Sequence, residues 1–189
     1  MATKAKRDKD TITLGSVIPY IMEYDSATGI PSHTDICKAE NRLGYSKGGA
    51  EITYTEETSE ERDDLGYVSK IITTTEEALV KLGLLTWNGE TLGYLADRYA
   101  VTEDAAKGTR TVHIGGAGNS QGKDWILCLH HQDKKDGDLW VIIRGRNNTG
   151  LTLTLAADAG TVIEPEFKAM PQDDKGTLIT IIEEIPTAA

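Results

Sequence analysis

The sequence predicts a mainly β protein, an antiparallel two-sheet sandwich or barrel with one short flanking helix and one long projecting hairpin. Three observations predict it. Apolar residues alternate strictly in Leu151-Thr-Leu-Thr-Leu155, which is the period of a half-buried strand. Two apolar runs, 125–129 and 139–143, are joined by a polar stretch containing Asp136-Gly137, the turn chemistry of a hairpin. One stretch only, 91–99, carries a helical stripe. Many strands with one helix is the pattern of antiparallel layers.

Each element has its own reason. Residues 1–11 hold Lys4, Lys6, Arg7 and Lys9 with Asp8 and Asp10 and almost no apolar content, which predicts an arm. Residues 12–184 read as one domain. The β-prone runs 44–55 and 65–75 flank the acidic stretch 56–64, which predicts a hairpin over 44–75 with an acidic tip. Eleven residues of strand reach roughly 35 Å, so the tip projects beyond a compact body. Asn88-Gly89 is a turn. After it Leu92, Leu95 and Tyr99 fall at i, i+3 and i+7 and predict a helix over 91–99. Gly93 costs that helix about 1 kcal/mol relative to Ala. Ile163, Pro165, Phe167 and Ala169 alternate with Glu164, Glu166 and Lys168, and Pro165 assigns that run to a sheet edge or a bulge. Residues 178–182 form a last apolar run before Glu183-Glu184, and 185–189 are a tail.

Composition narrows the function. The chain has 189 residues, 20 Lys+Arg and 30 Asp+Glu, for a formal net charge of −10. That argues against broad phosphate-backbone binding and against an anionic membrane surface. No run approaches the ~18 apolar residues of a membrane span. The polar stretch from Met1 to Asp10 has no apolar h-region, so no secretory signal is expected. Two cysteines, Cys37 and Cys128, are too few for a disulfide scaffold, which predicts free thiols in a reducing cytoplasm.

Chemical motifs are few. Ala117-Gly-Asn-Ser-Gln-Gly-Lys123 comes near a phosphate loop, but Ala117 stands where Gly is needed and Asp124 where Ser or Thr holds magnesium. A strand-like run follows it, whereas a phosphate loop leads into a helix. Cys128 and His130 share a strand face and His131 opposes them, yet two ligands do not close a zinc site. The stretch 133–138 lacks the spacing of a calcium loop and reads as a hairpin turn. Glu56-Glu57 and Glu60-Glu61 have no aromatic wall to tune an acid pair. Asn147-Asn148-Thr149 has the form of a glycosylation sequon and reads as a turn. No catalytic residue, metal or cofactor is expected.

Five segments, in order, carry a family resemblance. They are Asn41-Arg-Leu-Gly-Tyr-Ser-Lys-Gly-Gly-Ala50, Asp63-Asp-Leu-Gly-Tyr-Val-Ser-Lys70 and Leu84-Leu-Thr-Trp-Asn-Gly-Glu-Thr-Leu92. Arg110-Thr-Val-His-Ile-Gly-Gly-Ala-Gly-Asn119 and Glu166-Phe-Lys-Ala-Met-Pro-Gln-Asp-Asp-Lys-Gly-Thr-Leu178 complete the set. Together they resemble the tail tube (major tail) proteins of long-tailed bacteriophages and prophages of Gram-positive bacteria. The resemblance implies a virion subunit, assembled in the host bacterial cytoplasm, that forms stacked, hexameric rings. The rings make the hollow tube through which DNA passes without being bound. It implies as partners other copies of the chain, the tail terminator, the tape measure, and baseplate or distal tail proteins. In that family a long hairpin and the terminal arms bridge neighbouring subunits, and 44–75 matches the bridging hairpin.

The contact candidates are therefore Glu56, Glu57, Glu60, Glu61, Asp63 and Asp64 on the hairpin, with Lys4, Lys6, Arg7 and Lys9 on the arm. The arm is expected to pair with acidic surface such as the 56–64 tip. No lumen-facing position is assigned. Two alternatives remain at this point. One is a related ring, a tail terminator or the effector carrier of an injection machine. The other is a small β-barrel enzyme or binding protein holding a metal between His113, His130 and Cys128.

Overall fold

The computed structural model describes Arg7 and residues 11–158 and 160–185. The fold is mainly β, with two antiparallel sheets and one short helix. The strands are β1 (Val17–Glu23), β2 (Ser46–Arg62), β3 (Ser69–Leu84), β4 (Tyr99–Asp104), β5 (Thr109–Ile114), β6 (Trp125–His131), β7 (Leu139–Asn147), β8 (Glu166–Met170) and β9 (Ile179–Glu183). A single helical turn, α1 (His33–Ile36), follows β1, and the helix α2 (Gly89–Leu95) follows β3. Seven strands form one sheet in the order β1-β6-β7-β8-β3-β2, with β9 also on β7, while β4 and β5 form a separate hairpin.

The larger sheet curls around its own core. Ile21, Leu127, Leu129, Val141, Ile143, Phe167, Ala169, Val80, Leu82 and Leu84 all point into one cluster, which Leu92, Leu95 and Tyr99 complete. The core therefore sits inside one curled sheet rather than between two equal layers. No sheet closes into a barrel. The lead-in to β2 does return beside β1, where the Leu43 N–H donates to Pro19 O at 3.0 Å and Ser46 Oγ to Val17 O at 2.5 Å. Among the described residues no helix is long and apolar enough to cross a membrane.

β6 is the centre. All seven of its residues are buried, because β1 and β7 pair with its two edges and clusters cover both faces. The second cluster holds Tyr20, Ile126, Cys128 and Ile142, and Ile36 of α1 covers it. Where β6 and β7 meet the preceding loop, Asp124 accepts from Arg144 Nη2 at 2.6 Å and from Arg146 Nε at 2.6 Å.

Several expectations change. The helix ends at Leu95, and Tyr99 opens β4 instead. Asn88 caps the helix, accepting from the N–H groups of Glu90 and Thr91 at 2.9 and 3.0 Å. The 151–155 alternation makes no strand. Among the described residues its backbone pairs with no neighbouring strand, and Thr154 O instead accepts from Thr161 Oγ1 at 2.8 Å. Leu155 is accordingly left exposed. The run with Pro165 is not an edge strand. β8 starts just after the proline and lies inside the sheet, so the missing N–H costs no ladder bond. β1 and the β4–β5 hairpin are elements that the sequence reading did not assign.

Candidate functional site

The hairpin β2–β3 is longer than 44–75. Its strands hold 17 and 16 residues, so it extends for roughly 50 Å. Its base is part of the core through Ala78, Val80, Leu82 and Leu84. Beyond Ala78 the chain leaves the core. From Glu51 to Glu77 every residue is exposed except the half-buried Ser59. Thr53, Thr55, Thr58, Ile71, Ile72, Thr73 and Thr75 hold this solvated ribbon extended, since branched side chains favour a pleated backbone.

The acidic residues do not form the tip. Glu56, Glu57, Glu60 and Glu61 lie along β2, opposite Glu76, Thr75, Ile71 and Lys70. Thr75 Oγ1 donates to Glu57 at 2.7 Å, and Arg62 Nε pairs with Glu60 at 2.9 Å. Ladder bonding uses only the backbone, so charged residues on both sides do not interrupt it. The turn is 63–68. Asp63 builds it by accepting from the Val68 N–H at 2.7 Å and the Leu65 N–H at 3.3 Å, and Gly66 supplies a φ of +72°. Asp64 is exposed within the turn. The tip itself is apolar: Leu65 is 77% exposed, Tyr67 84% and Val68 69%, with Ile71 behind them at 65%. The signal for it was Leu65-Gly-Tyr-Val68, an apolar insert in a turn.

Lower on the hairpin a second apolar area opens. A cleft of about 460 Å³ lies between Tyr54 and Glu76 on one side and Lys175, Leu178 and Ile181 on the other. Tyr54 donates to Glu56 Oε1 at 2.7 Å, and that bond to a carboxylate raises the phenol pKa above its ordinary value. Among the described residues β9 pairs only with β7 and β2 only with β3, so each leaves one edge open.

Lys4, Lys6 and Lys9 lie outside the described residues. Arg7 is engaged elsewhere in the chain, away from the hairpin: Nε donates to Gly137 O at 3.0 Å and Nη1 to Thr13 Oγ1 at 3.0 Å. The structure does not bring His113, His130 and Cys128 together. His113 is exposed on β5, in the other sheet. Cys128 and His130 do share a face of β6, and His130 stacks on Trp140 at 4.9 Å and meets Asp138 Oδ2 at 3.1 Å. Among the described residues no three metal-ligating side chains cluster.

The glycine-rich loop before β6 is occupied by a carboxylate of the chain itself. Asp97 accepts from Ser120 Oγ at 2.8 Å and from the Gly122 N–H at 3.2 Å. Asp133 organises the β6–β7 turn, accepting from the Lys135 and Asp136 N–H groups at 2.8 and 3.0 Å. These amide bonds hold its carboxyl below the usual range. Asn147 ties three elements: its Nδ2 donates to Leu95 O at 2.8 Å and also to Gly150 O, while its Oδ1 accepts from the Glu166 N–H at 3.1 Å.

No protein-family model matches this chain. No curated protein matches it either.

Proposed function

We propose that this chain is a structural subunit of a phage tail tube, which assembles with copies of itself into stacked six-membered rings around a hollow channel for DNA. The observation that carries the reading is the hairpin. A ribbon exposed on both faces, ending in Leu65, Tyr67 and Val68, gains its burial from a second molecule. A tip contacting a different surface of the next copy is a head-to-tail contact, which propagates as a filament or closes as a ring. The open edges of β2 and β9 suit strand addition between copies. The net charge of −10 keeps the free subunit soluble and lets phosphate slide past an acidic wall without adhering. The chain would be assembled in the bacterial cytoplasm and act in the virion, beside terminator, tape measure and baseplate proteins. The proposed role requires no chemical step.

Negative-stain electron microscopy of the purified chain across a concentration series tests this. Hollow filaments of uniform width are the expected result. Closed rings that never stack would replace the tube with a terminator or effector-carrier ring. A monomer at every concentration, even with preformed tail tips as nuclei, would overturn self-assembly.

A further inference from the structure

Cys37 and Cys128 are 91 positions apart, yet their Sγ atoms lie 3.6 Å from one another. Both are free thiols. Cys128 sits in the middle of β6, wholly buried, with Tyr20 and Ile142 paired on either side. Cys37 is half-buried and closes α1, its N–H donating to His33 O at 3.0 Å. One thiol is thus fixed at the centre of the sheet. The other ends a single helical turn at the surface, whose buried Ile36 and Asn41 side-chain bonds to Asp35 O and Ile36 O hold it against the sheet.

The contact also distinguishes the two sulfurs. The hydrogen bond between the two sulfurs, in which either can donate, lowers the Cys37 pKa against the opposing effect of burial. Cys128 is pushed up, first by that shared hydrogen bond and then by burial. Cys37 is the sulfur that a small molecule in solution can reach, and Cys128 is screened from it by the sheet.

We propose that Cys37 and Cys128 are an oxidisable dithiol, with Cys37 attacking and Cys128 resolving, that closes to a disulfide and pins the α1 segment to β6. The oxidant is a low-molecular-weight disulfide. The Cys37 thiolate attacks one of its sulfurs, the S–S bond breaks, and one thiolate leaves and takes up a proton. Cys128 then attacks Sγ of Cys37 in the mixed disulfide and expels the second thiol, which carries off the Cys128 proton. Two cysteine thiols lose two electrons and one small disulfide is reduced to two thiols. Closure needs the two Sγ atoms, now 3.6 Å apart, to approach by about 1.5 Å.

The bond would anchor the root of the hairpin. From Cys37 the chain runs through Arg42, which bridges Tyr20 of β1, and directly into β2. If the tube reading holds, the pair stays reduced in the bacterial cytoplasm and closes once the particle is outside. The thiol chemistry itself stands apart from that reading and is measured on the isolated chain.

The test is to equilibrate the native protein with mixtures of oxidised and reduced glutathione and read free thiols, intact mass and peptide linkage. The expected result is loss of both thiols together, a Cys37–Cys128 linked peptide, and a melting temperature higher by about 5–15 °C, reversed by reductant. The variant C128A is expected to stop at one glutathione on Cys37, and C37S to stay unmodified. Two results would overturn the proposal. One is thiols that remain free in oxidised glutathione while a urea-unfolded control links. The other is a Cys37 adduct on the native protein that never resolves. Either result leaves the microscopy test of tube assembly untouched.

Discussion

Glu56 and Glu76 stand directly opposite one another across the β2–β3 ladder, just where the hairpin leaves the core. Two carboxylates in one cross-strand pair repel. Tyr54 relieves part of this by donating to Glu56. The variant E76K converts the repulsion into attraction and is expected to raise the melting temperature by about 1–3 °C. The gain shrinks in 1 M salt. Calorimetry of both proteins at low and high salt checks this, and an unchanged or lower melting temperature would count against the pairing.

The exposed tip separates folding from assembly. Replacing Leu65, Tyr67 and Val68 together by serine removes no buried contact, so each change stays within about 0.5 kcal/mol of stability. The concentration at which filaments or rings appear is expected to rise at least about tenfold, because the buried apolar area is lost. Melting temperature and sedimentation, measured on the same samples, decide. Unaltered assembly would remove the tip from the interface.

Asp124 predicts an acid-sensitive joint. Partial burial alone would push its pKa up, but the hydrogen bonds from Arg144 and Arg146 outweigh that and hold it below the ordinary value. The unfolded chain titrates near the ordinary ~3.9. The stabilisation from this carboxylate is therefore complete above that value and is lost as pH falls through the lower folded pKa. D124N is expected to lose about 1–3 kcal/mol at pH 7, where two guanidiniums lose a charged acceptor. Its stability then falls less steeply than wild type between pH 5 and pH 2. Urea melts across that range give both quantities, and parallel pH profiles would dismiss the role.

A close approach leaves no room for a side chain at Gly93. A Cβ there would lie 2.7 Å from the Tyr99 ring, and Tyr99 Oη is held by donation to Gly89 O at 2.5 Å. G93A is therefore expected to destabilise by about 1–3 kcal/mol, although alanine is the better helix former. In a Y99A background the penalty disappears. A double-mutant cycle by chemical denaturation measures the coupling.

Gly93 also shows what sequence reading reaches. Its cost to the helix was legible, but its packing partner was not, because Tyr99 belonged by spacing to the same stripe. The stripe cannot report that Ala96 leaves the helical conformation with a ψ of 118°. The β6–β7 hairpin was legible because both strands are apolar and the turn carries Asp136-Gly137. β4 and β5 were not, because most of their residues are exposed and carry no burial pattern. The hairpin's acids were visible as a charge run. Their place on a strand was not, since solvated strands and solvated turns draw on the same polar residues.

The register of the β2–β3 ribbon slips twice, and the slips bear on where it points. Near its root the register slips between Ser46 and Ala50, where Gly48 and Gly49 take φ of +88° and +81°. Halfway along, Thr74 is the extra residue against Glu57 and Thr58, and its hydroxyl donates to Glu57 O at 3.0 Å. Each irregularity adds local twist and redirects the strands beyond it. The ribbon is thus jointed like an arm with a shoulder and an elbow, set by Gly48, Gly49 and Thr74. A chain lacking Thr74 would keep the same cross-strand partners on both sides of the elbow and point its tip elsewhere.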